Sequence, residues 1–135
     1  MNYTILLLDD DLRFRKMVVP GMTNKGLKVF EASTGAEAQE LIKKHKFDLL
    51  IVDGVLPDTD GIKWLTRYRA AGGTSTLIFI SAHWQASEVY QVLTKDLTVS
   101  QIIHKPVIPA VFAEQIYSEI TRPHWTPTAD REEER

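Results

Sequence analysis

The sequence predicts an α/β fold in which a parallel sheet is covered by helices on both faces. Short apolar, β-prone runs alternate with helix-like segments five times along the chain, which indicates strands joined by crossover helices. The run at residues 49–52 is the clearest strand, because it is apolar throughout, too short for a helix and bounded by turn residues. The 135 residues are enough for one domain with a sizeable core.

The first strand is predicted at residues 3–8, which are apolar and β-prone. It runs directly into three aspartates, and residues 12–24 then repeat apolar side chains at helical spacing. Within that helix, Pro20 and Gly21 are expected to cause a kink or an early break. Proline removes a backbone donor, and its ring clashes with the preceding turn.

The second strand–helix pair follows Gly26, a residue that commonly ends helices. Residues 27–32 alternate in polarity and are predicted to form a strand. Thr34 and Glu37 have the spacing of a capping box, so a helix is expected to begin there and to continue through His45.

The third strand, residues 49–52, is followed at once by Asp53 and then by a loop that contains Pro57. A helix is predicted at residues 62–71, ended by a pair of glycines. The carboxyl end of a buried strand is where open α/β sheets bind ligands. Asp53 is therefore the first candidate for a functional residue.

The last two strands are predicted at residues 76–80 and 101–104, with a helix at residues 85–93 between them. Pro109 is expected to begin an amphipathic helix that extends to Ile120. Beyond Arg122 the chain is rich in proline and charge and has no apolar face, which is typical of a mobile tail or a linker.

Composition and charge argue against several classes of protein. The formal net charge of -2 gives no bulk attraction to nucleic acid or to anionic membranes. Without cysteine there is no disulfide framework and no thiolate chemistry, which fits a cytoplasmic protein. The longest apolar runs fall far below the ~20 residues of a membrane span, and no signal peptide precedes the first strand.

Polar residues follow four of the five predicted strands. Asp9 and Asp10 follow the first, Asp53 the third, Ser81 the fourth and Lys105 the fifth. Because the carboxyl ends of parallel strands meet at one edge of the sheet, these side chains are expected to converge.

Such a cluster requires compensation for its negative charge. At ~4 Å and an effective dielectric constant of ~20, each close pair of carboxylates costs about 4 kcal/mol. A few carboxylates with water and phosphate are the usual ligands of Mg²⁺. Lys105 would add a cation for a phosphate oxygen and Ser81 a hydroxyl donor. The set has what in-line phosphoryl transfer to Asp53 needs.

These residues resemble the receiver domain of bacterial two-component response regulators. The matching positions are Asp9-Asp10, Asp53 with Leu56-Pro57 and Gly61, Ser81-Ala82, and Lys105-Pro106. The resemblance covers about residues 3–121. It implies a flavodoxin-like (βα)5 three-layer sandwich with a five-stranded parallel sheet of order 2-1-3-4-5. Residues 1–122 would be the receiver domain, and residues 123–135 a flexible C-terminal tail or the start of a linker to an output domain.

The resemblance also implies roles for individual residues. Asp53 would be the phospho-acceptor and Asp10 a direct Mg²⁺ ligand, with Asp9 acting largely through water. The carbonyl of Val55 would be a further ligand, and Mn²⁺ a possible substitute for Mg²⁺. Lys105 would bind the phosphoryl group, and Ser81 would be the hydroxyl that switches position.

By the same resemblance, the chain is a signalling switch rather than a metabolic enzyme. It would catalyse its own aspartyl phosphorylation and dephosphorylation, with a sensor histidine kinase or a histidine phosphotransfer protein as donor. Its partners would include a C-terminal or separate output domain. A homodimer could form through the fourth helix, fifth strand and fifth helix, roughly residues 85–120. No direct binding to nucleic acid or to a membrane is expected.

One position departs from the family pattern. Three residues before the lysine, where an aromatic ring usually follows the switch hydroxyl, this chain has Ile102. Trp84, beside the switch loop, is a hypothetical replacement for that ring. His83 is expected to be a plain surface histidine, and the alternative is that it contacts an attacking water.

Three other functions are alternatives to the switch. A degenerate receiver could act as a docking module without phosphorylation. A haloacid-dehalogenase-like phosphatase would need its nucleophile where this chain has Ile51. A flavodoxin-like cofactor site would need a hydroxyl- and glycine-rich loop after the first strand, where this chain has three aspartates. Asp11, Asp58 and Asp60 are expected to be helix-capping or turn residues.

Overall fold

The computed structural model describes residues 2–83 and 85–122. Its strands are β1 (Thr4–Leu8), β2 (Lys28–Ala32), β3 (Leu49–Asp53), β4 (Thr76–Ser81) and β5 (Gln101–His104). All neighbouring strands are parallel, and they form one sheet in the order β2-β1-β3-β4-β5. The predicted parallel sheet and its 2-1-3-4-5 order are confirmed.

Five helices connect and follow the strands. They are α1 (Leu12–Asn24), α2 (Gly35–Lys44), α3 (Gly61–Ala70), α4 (Ser87–Gln91) and α5 (Pro109–Thr121). A π-helical turn, Val92–Asp96, continues from α4. None of the helices in the described part of the chain has the length and the apolar character that crossing a bilayer requires.

The core consists of two layers, one on each face of the sheet. In β1, Leu6 and Leu8 pack toward α2 and α3, whereas Ile5 and Leu7 pack toward α1 and α5. All four side chains are fully buried. Burial of each such side chain stabilises the fold by about 1.5–3 kcal/mol. The two-sided burial explains why the strands are continuous apolar runs, and it fixes the register that aligns their carboxyl ends.

The sequence predicted a kink or an early break at Pro20, and the early break was wrong. Helix α1 runs from Leu12 to Asn24 with Pro20 inside it. Its buried residues Phe14, Val18 and Met22 belong to the same core layer as α5. Burial of these three side chains outweighs the single backbone hydrogen bond that proline cannot donate.

The fourth helix differs from its predicted bounds of 85–93. It begins only at Ser87, and Ala86 at its N-cap position is in an extended conformation and offers no side-chain hydrogen bond. After Gln91 the backbone widens into the π-helical turn, in which Leu93 is buried. Predictions for Trp84 and for residues 123–135 fall outside the described residues.

Candidate functional site

The strand register brings four chain segments to the carboxyl edge of the sheet. Leu8 pairs with Val52, so the residues that follow them, Asp9 and Asp53, lie side by side. On the other side of β3, Asp53 pairs with Ile80. Ser81 pairs with His104, and Lys105 comes next in the chain. The predicted convergence at this edge follows from the register alone.

Three carboxylates meet there. One oxygen from each of Asp9, Asp10 and Asp53 lies within 4.8 Å of the other two. Asp9 is fully buried and Asp53 is 7% exposed, while Asp10 faces solvent. Oxygen ligands of this kind, partly open to water, suit a hard divalent cation.

Lys105 supplies the positive charge at this edge. Its Nζ lies 2.7 Å from Asp9 Oδ2 and 3.9 Å from Asp53 Oδ1. The same ammonium lies 4.4 Å from the centre of the Phe14 ring, a cation–π distance. The Lys105–Pro106 peptide bond is cis. Phe14 is one of the apolar residues at helical spacing in residues 12–24, and that spacing could not reveal its contact with the site.

The two oxygens of Asp9 have different surroundings. Oδ1 accepts a hydrogen bond from the Asp11 N–H at 2.9 Å. Oδ2 is buried and has no hydrogen bond of good geometry among the described residues, although the Lys105 ammonium is in ion-pair contact with it. A buried carboxylate oxygen with one charge partner keeps acceptor capacity for a cation.

Arg15 supports the end of β1 from α1. Its guanidinium donates to the Asp9 carbonyl at 2.5 Å and forms an ion pair with Glu31 at 2.9 Å. This role could not be predicted, because in the sequence Arg15 is one of several charged residues of α1, and nothing in their spacing shows that its side chain is only 13% exposed.

The acidic surroundings alter the protonation of Asp53. Burial raises the pKa of its carboxyl to about 6 from the ordinary 3.8, and the neighbouring Asp9 and Asp10 charges act in the same direction. The Lys105 ammonium lowers this pKa. The carboxylates are crowded together away from water. This crowding raises the pKa of Asp53, and it also favours the binding of a cation.

The loop after β3 is shaped by a close backbone approach. A Cβ at Gly61 would lie 2.2 Å from the carbonyl oxygen of Asp53, so no side chain fits there. The Gly61 N–H instead donates to the Gly54 carbonyl at 2.8 Å. Glycine at position 61 therefore lets the loop fold back over the end of β3.

Asp11, Asp58 and Asp60 have the capping or turn roles expected of them. Asp11 accepts from the Phe14 N–H at the start of α1, and Asp60 accepts from the Lys63 N–H at the start of α3. Asp58 accepts from the first two N–H groups of α2, those of Gly35 and Ala36.

Ser81 lies at the same edge but does not touch the carboxylates. Its hydroxyl is hydrogen-bonded to the backbone of His83 and to the side chain of Gln85. No hydrogen bond joins Ser81 to Asp9, Asp10 or Asp53 among the residues that the structure describes. Gln85 is a neighbour that no pattern in the sequence indicated.

Two further predicted positions are also placed by the fold. Ile102 packs half-buried against the core layer of α2 and α3. Val55 forms a backbone bridge with Asp60, and its side chain is 64% exposed. The implied role of the Val55 carbonyl as a metal ligand stays a prediction.

The site geometry weighs against two of the alternative functions. Ile51, where a haloacid-dehalogenase-like enzyme would need its nucleophile, is fully buried inside β3. The loop after β1 presents carboxylates where a flavodoxin-like cofactor would place its phosphate. Neither alternative has the groups that its chemistry requires.

Comparison with known proteins identifies relatives with this architecture. The family model of the response regulator receiver domain matches residues 5–117. Chemotaxis protein CheY of Bacillus subtilis (strain 168) is 31% identical over 115 residues, and the match covers 82% of this chain and 96% of that protein. Transcriptional regulatory protein CssR of the same organism is 29% identical over 81% of this chain, but the match spans only 47% of CssR.

Among solved structures, the non-phosphorylated HemR receiver domain from Leptospira biflexa is 26% identical. The two structures superpose with a TM-score of 0.79, and the match covers 91% of this chain and 99% of the HemR domain. The family match extends over all five strands and over the edge that carries Asp9, Asp53 and Lys105. The chain therefore belongs to the response regulator receiver domain family.

Proposed function

We propose that Asp53 accepts a phosphoryl group and that the chain is a switch controlled by this modification. The observation that carries the proposal is the placement of Asp53 at the end of β3, among Asp9, Asp10 and the Lys105 ammonium. The donor proposed is a phosphohistidine on a sensor histidine kinase or on a histidine phosphotransfer protein.

In the proposed transfer, the chain supplies the nucleophile and two hydrogen-bond donors to the phosphoryl group. An Asp53 carboxylate oxygen forms the new P–O bond as the N–P bond of the donor phosphohistidine breaks, and the donor imidazole takes up a proton. With a pKa of about 6, the Asp53 carboxyl is mainly ionised at neutral pH and can act as nucleophile. Lys105 is placed to donate to a phosphoryl oxygen, and the Ser81 hydroxyl would donate to another after leaving its present partners.

The acidic cluster fits the metal ion that the reaction needs. Asp10 and Asp53 would hold Mg²⁺ directly, with the Val55 carbonyl, while Asp9 would act largely through water; Mn²⁺ would be a substitute. The fit rests on three carboxylates within 4.8 Å and on the buried Asp9 Oδ2 with its spare acceptor capacity. When bound, the ion would neutralise charge between the carboxylates and the phosphoryl oxygens.

The output proposed is a change in the surface formed by α4, β5 and α5. The added phosphoryl charge lies beside β4, whose Ser81 pairs with the end of β5. This surface would contact an output domain, attached or separate, or a second copy of the chain. Residues 1–122 would act as the receiver unit, and the location proposed is the cytoplasm. Nothing in the site favours a docking module that works without phosphorylation.

Phosphoryl transfer from acetyl phosphate tests the proposal. Wild-type protein with Mg²⁺ should gain one phosphoryl group by intact-protein mass spectrometry, and the gain should disappear with excess chelator. Asp53→Asn should lose it, whereas Asp58→Asn, a matched change in the same loop, should keep it. An unlabelled wild type, or labelling that survives in Asp53→Asn, would refute the proposal.

A further inference from the structure

The present position of the Ser81 hydroxyl is fixed by three hydrogen bonds. It donates to the His83 carbonyl at 2.9 Å and accepts from the His83 N–H at 3.0 Å. It also accepts from Gln85 Nε2 at 2.9 Å. A serine hydroxyl has one proton and two acceptor positions, so its hydrogen-bonding capacity is filled.

The second contact of Gln85 fixes the orientation of its carboxamide. Nε2 lies 2.9 Å from the His83 carbonyl oxygen as well as from Ser81. If the amide oxygen stood there instead, two acceptors would face each other. The NH₂ group therefore bridges the hydroxyl and the carbonyl, one proton to each.

This bridge lies beside the proposed phosphoryl site. Ser81, His83 and Gln85 line a groove of about 420 Å³ together with Gly54 and Val55, the two residues that follow Asp53. A change in the position of Ser81 would thus occur next to the loop that follows Asp53, the proposed phosphoryl acceptor.

We infer that Gln85 is a positioning residue that holds the Ser81 hydroxyl in its resting place. The inference rests on the proposed function, in which Ser81 donates its only proton to a phosphoryl oxygen. That donation breaks the bond to His83, and movement of the hydroxyl oxygen toward Asp53 separates it from Gln85.

Ser81 and His83 differ in burial, and this difference determines which of the two broken hydrogen bonds changes the balance between the resting and the engaged position of the hydroxyl. His83 is exposed, so water replaces a lost donor to its carbonyl. Ser81 is 3% exposed, so its bond to Gln85 has no such replacement in the resting state. Gln85 therefore stabilises the resting arrangement over the engaged one. Removing its N–H donor should favour engagement by about two- to tenfold, the effect of one hydrogen bond.

Binding of beryllofluoride, a mimic of the phosphoryl group, tests the inference on the full chain with Mg²⁺. The dissociation constant can be measured by fluorine NMR. Gln85→Met keeps the length of the side chain without its donor, and Gln85→Ala is a second variant. Gln91→Ala, an exposed change in α4, is the control. Both Gln85 variants should bind about two- to tenfold more tightly than the wild type, and Gln91→Ala should match it.

The Ser81→Ala background shows whether Gln85 acts through the hydroxyl. There the Gln85→Met change should leave binding unaltered, since its partner is gone. Unchanged or weaker binding by both Gln85 variants would overturn the inference. An equal gain in the Ser81→Ala background would also overturn it, because the effect would not pass through Ser81. A wild type that binds no beryllofluoride would instead refute the proposed function, and the inference with it.

Discussion

Asp53 ends β3 and Asp58 lies within the loop that follows it, and their carboxyl groups have opposite pKa shifts. Burial and the charges of Asp9 and Asp10 raise the pKa of Asp53 to about 6. Hydrogen bonds from the Gly35 and Ala36 N–H groups lower the pKa of Asp58. The surroundings of Asp53 therefore destabilise its charged form, whereas those of Asp58 stabilise its charged form.

The difference separates the carboxylate proposed as the phosphoryl acceptor from one that caps a helix. A carboxylate that caps a helix has its acceptor capacity filled by backbone N–H groups and stabilises the fold. A carboxylate crowded by others at a sheet edge makes the fold less stable unless a cation or a proton joins it. Proteins tolerate such crowding at functional sites, where the same charges bind a ligand.

The largest effect on stability is expected from removing the cation of the crowded site. Lys105→Met keeps most of the aliphatic stem but removes the ammonium that contacts Phe14 and leaves the buried Asp9 without its ion pair. The free energy of unfolding should fall by about 3 kcal/mol in metal-free buffer, as for other buried pairs that lose one partner. Urea unfolding at neutral pH measures this change.

The control is the exposed ion pair between Lys25 and Glu114, whose atoms lie 2.6 Å apart. Lys25→Met should lower the free energy of unfolding by less than about 1 kcal/mol. If the two lysine variants were equally stable, the buried site would not depend on its cation, and the contrast between the two kinds of carboxylate would fail.

A smaller effect is expected from Asp53 itself, and it depends on pH. Because the folded pKa of about 6 exceeds the ordinary 3.8, the folded state holds this proton more tightly than the unfolded chain. The stabilising contribution of Asp53 is complete below 3.8 and is lost as the pH rises through 6. Asp53→Asn should therefore be more stable than the wild type at about pH 8, by about 1–3 kcal/mol.

The two proteins should converge in stability only below about pH 3, where Asp53 is mainly neutral in both the folded and the unfolded chain. Urea titrations with a chelator present give the comparison at each pH. A constant difference across this range would mean that the effect of the substitution does not come from the charge of Asp53.

The smallest effect is expected from Asp58, and its sign is opposite. Since its folded pKa is lowered, Asp58 contributes stability above its ordinary pKa and loses that contribution as the pH falls through the folded value. Asp58→Ala should lower Tm at neutral pH, and the difference should shrink in acid. Asp58→Asn can still accept a hydrogen bond from α2, so its Tm should lie between those of the wild type and Asp58→Ala. A Tm that rises in Asp58→Ala would contradict the capping role.

The sequence predicted the fold more completely than the details of the site. Two-sided burial makes strands such as residues 49–52 visible as apolar runs, and parallel pairing then brings Asp9, Asp53 and Lys105 together. The error at Pro20 arose because a local rule was outweighed by packing against α5, which depends on residues far along the chain.

The roles of Arg15 and Gln85 could not be predicted, because they depend on side-chain directions rather than on spacing. Arg15 reaches the Asp9 carbonyl from the first helix, and Gln85 reaches Ser81 from a loop. A polar residue in either place looks like ordinary surface. Such partners can be identified only from a structure, in which the distance between the donor and acceptor atoms can be compared with that of a hydrogen bond.

The most direct test of the account locates the modified residue chemically. Protein phosphorylated with acetyl phosphate and Mg²⁺ is reduced with borohydride, which converts an acyl phosphate of aspartate to homoserine, and its peptides are then sequenced by mass spectrometry. The account predicts homoserine at position 53, with aspartate unchanged at positions 9, 10 and 58. Homoserine at any of those other positions, or none at position 53, would contradict it.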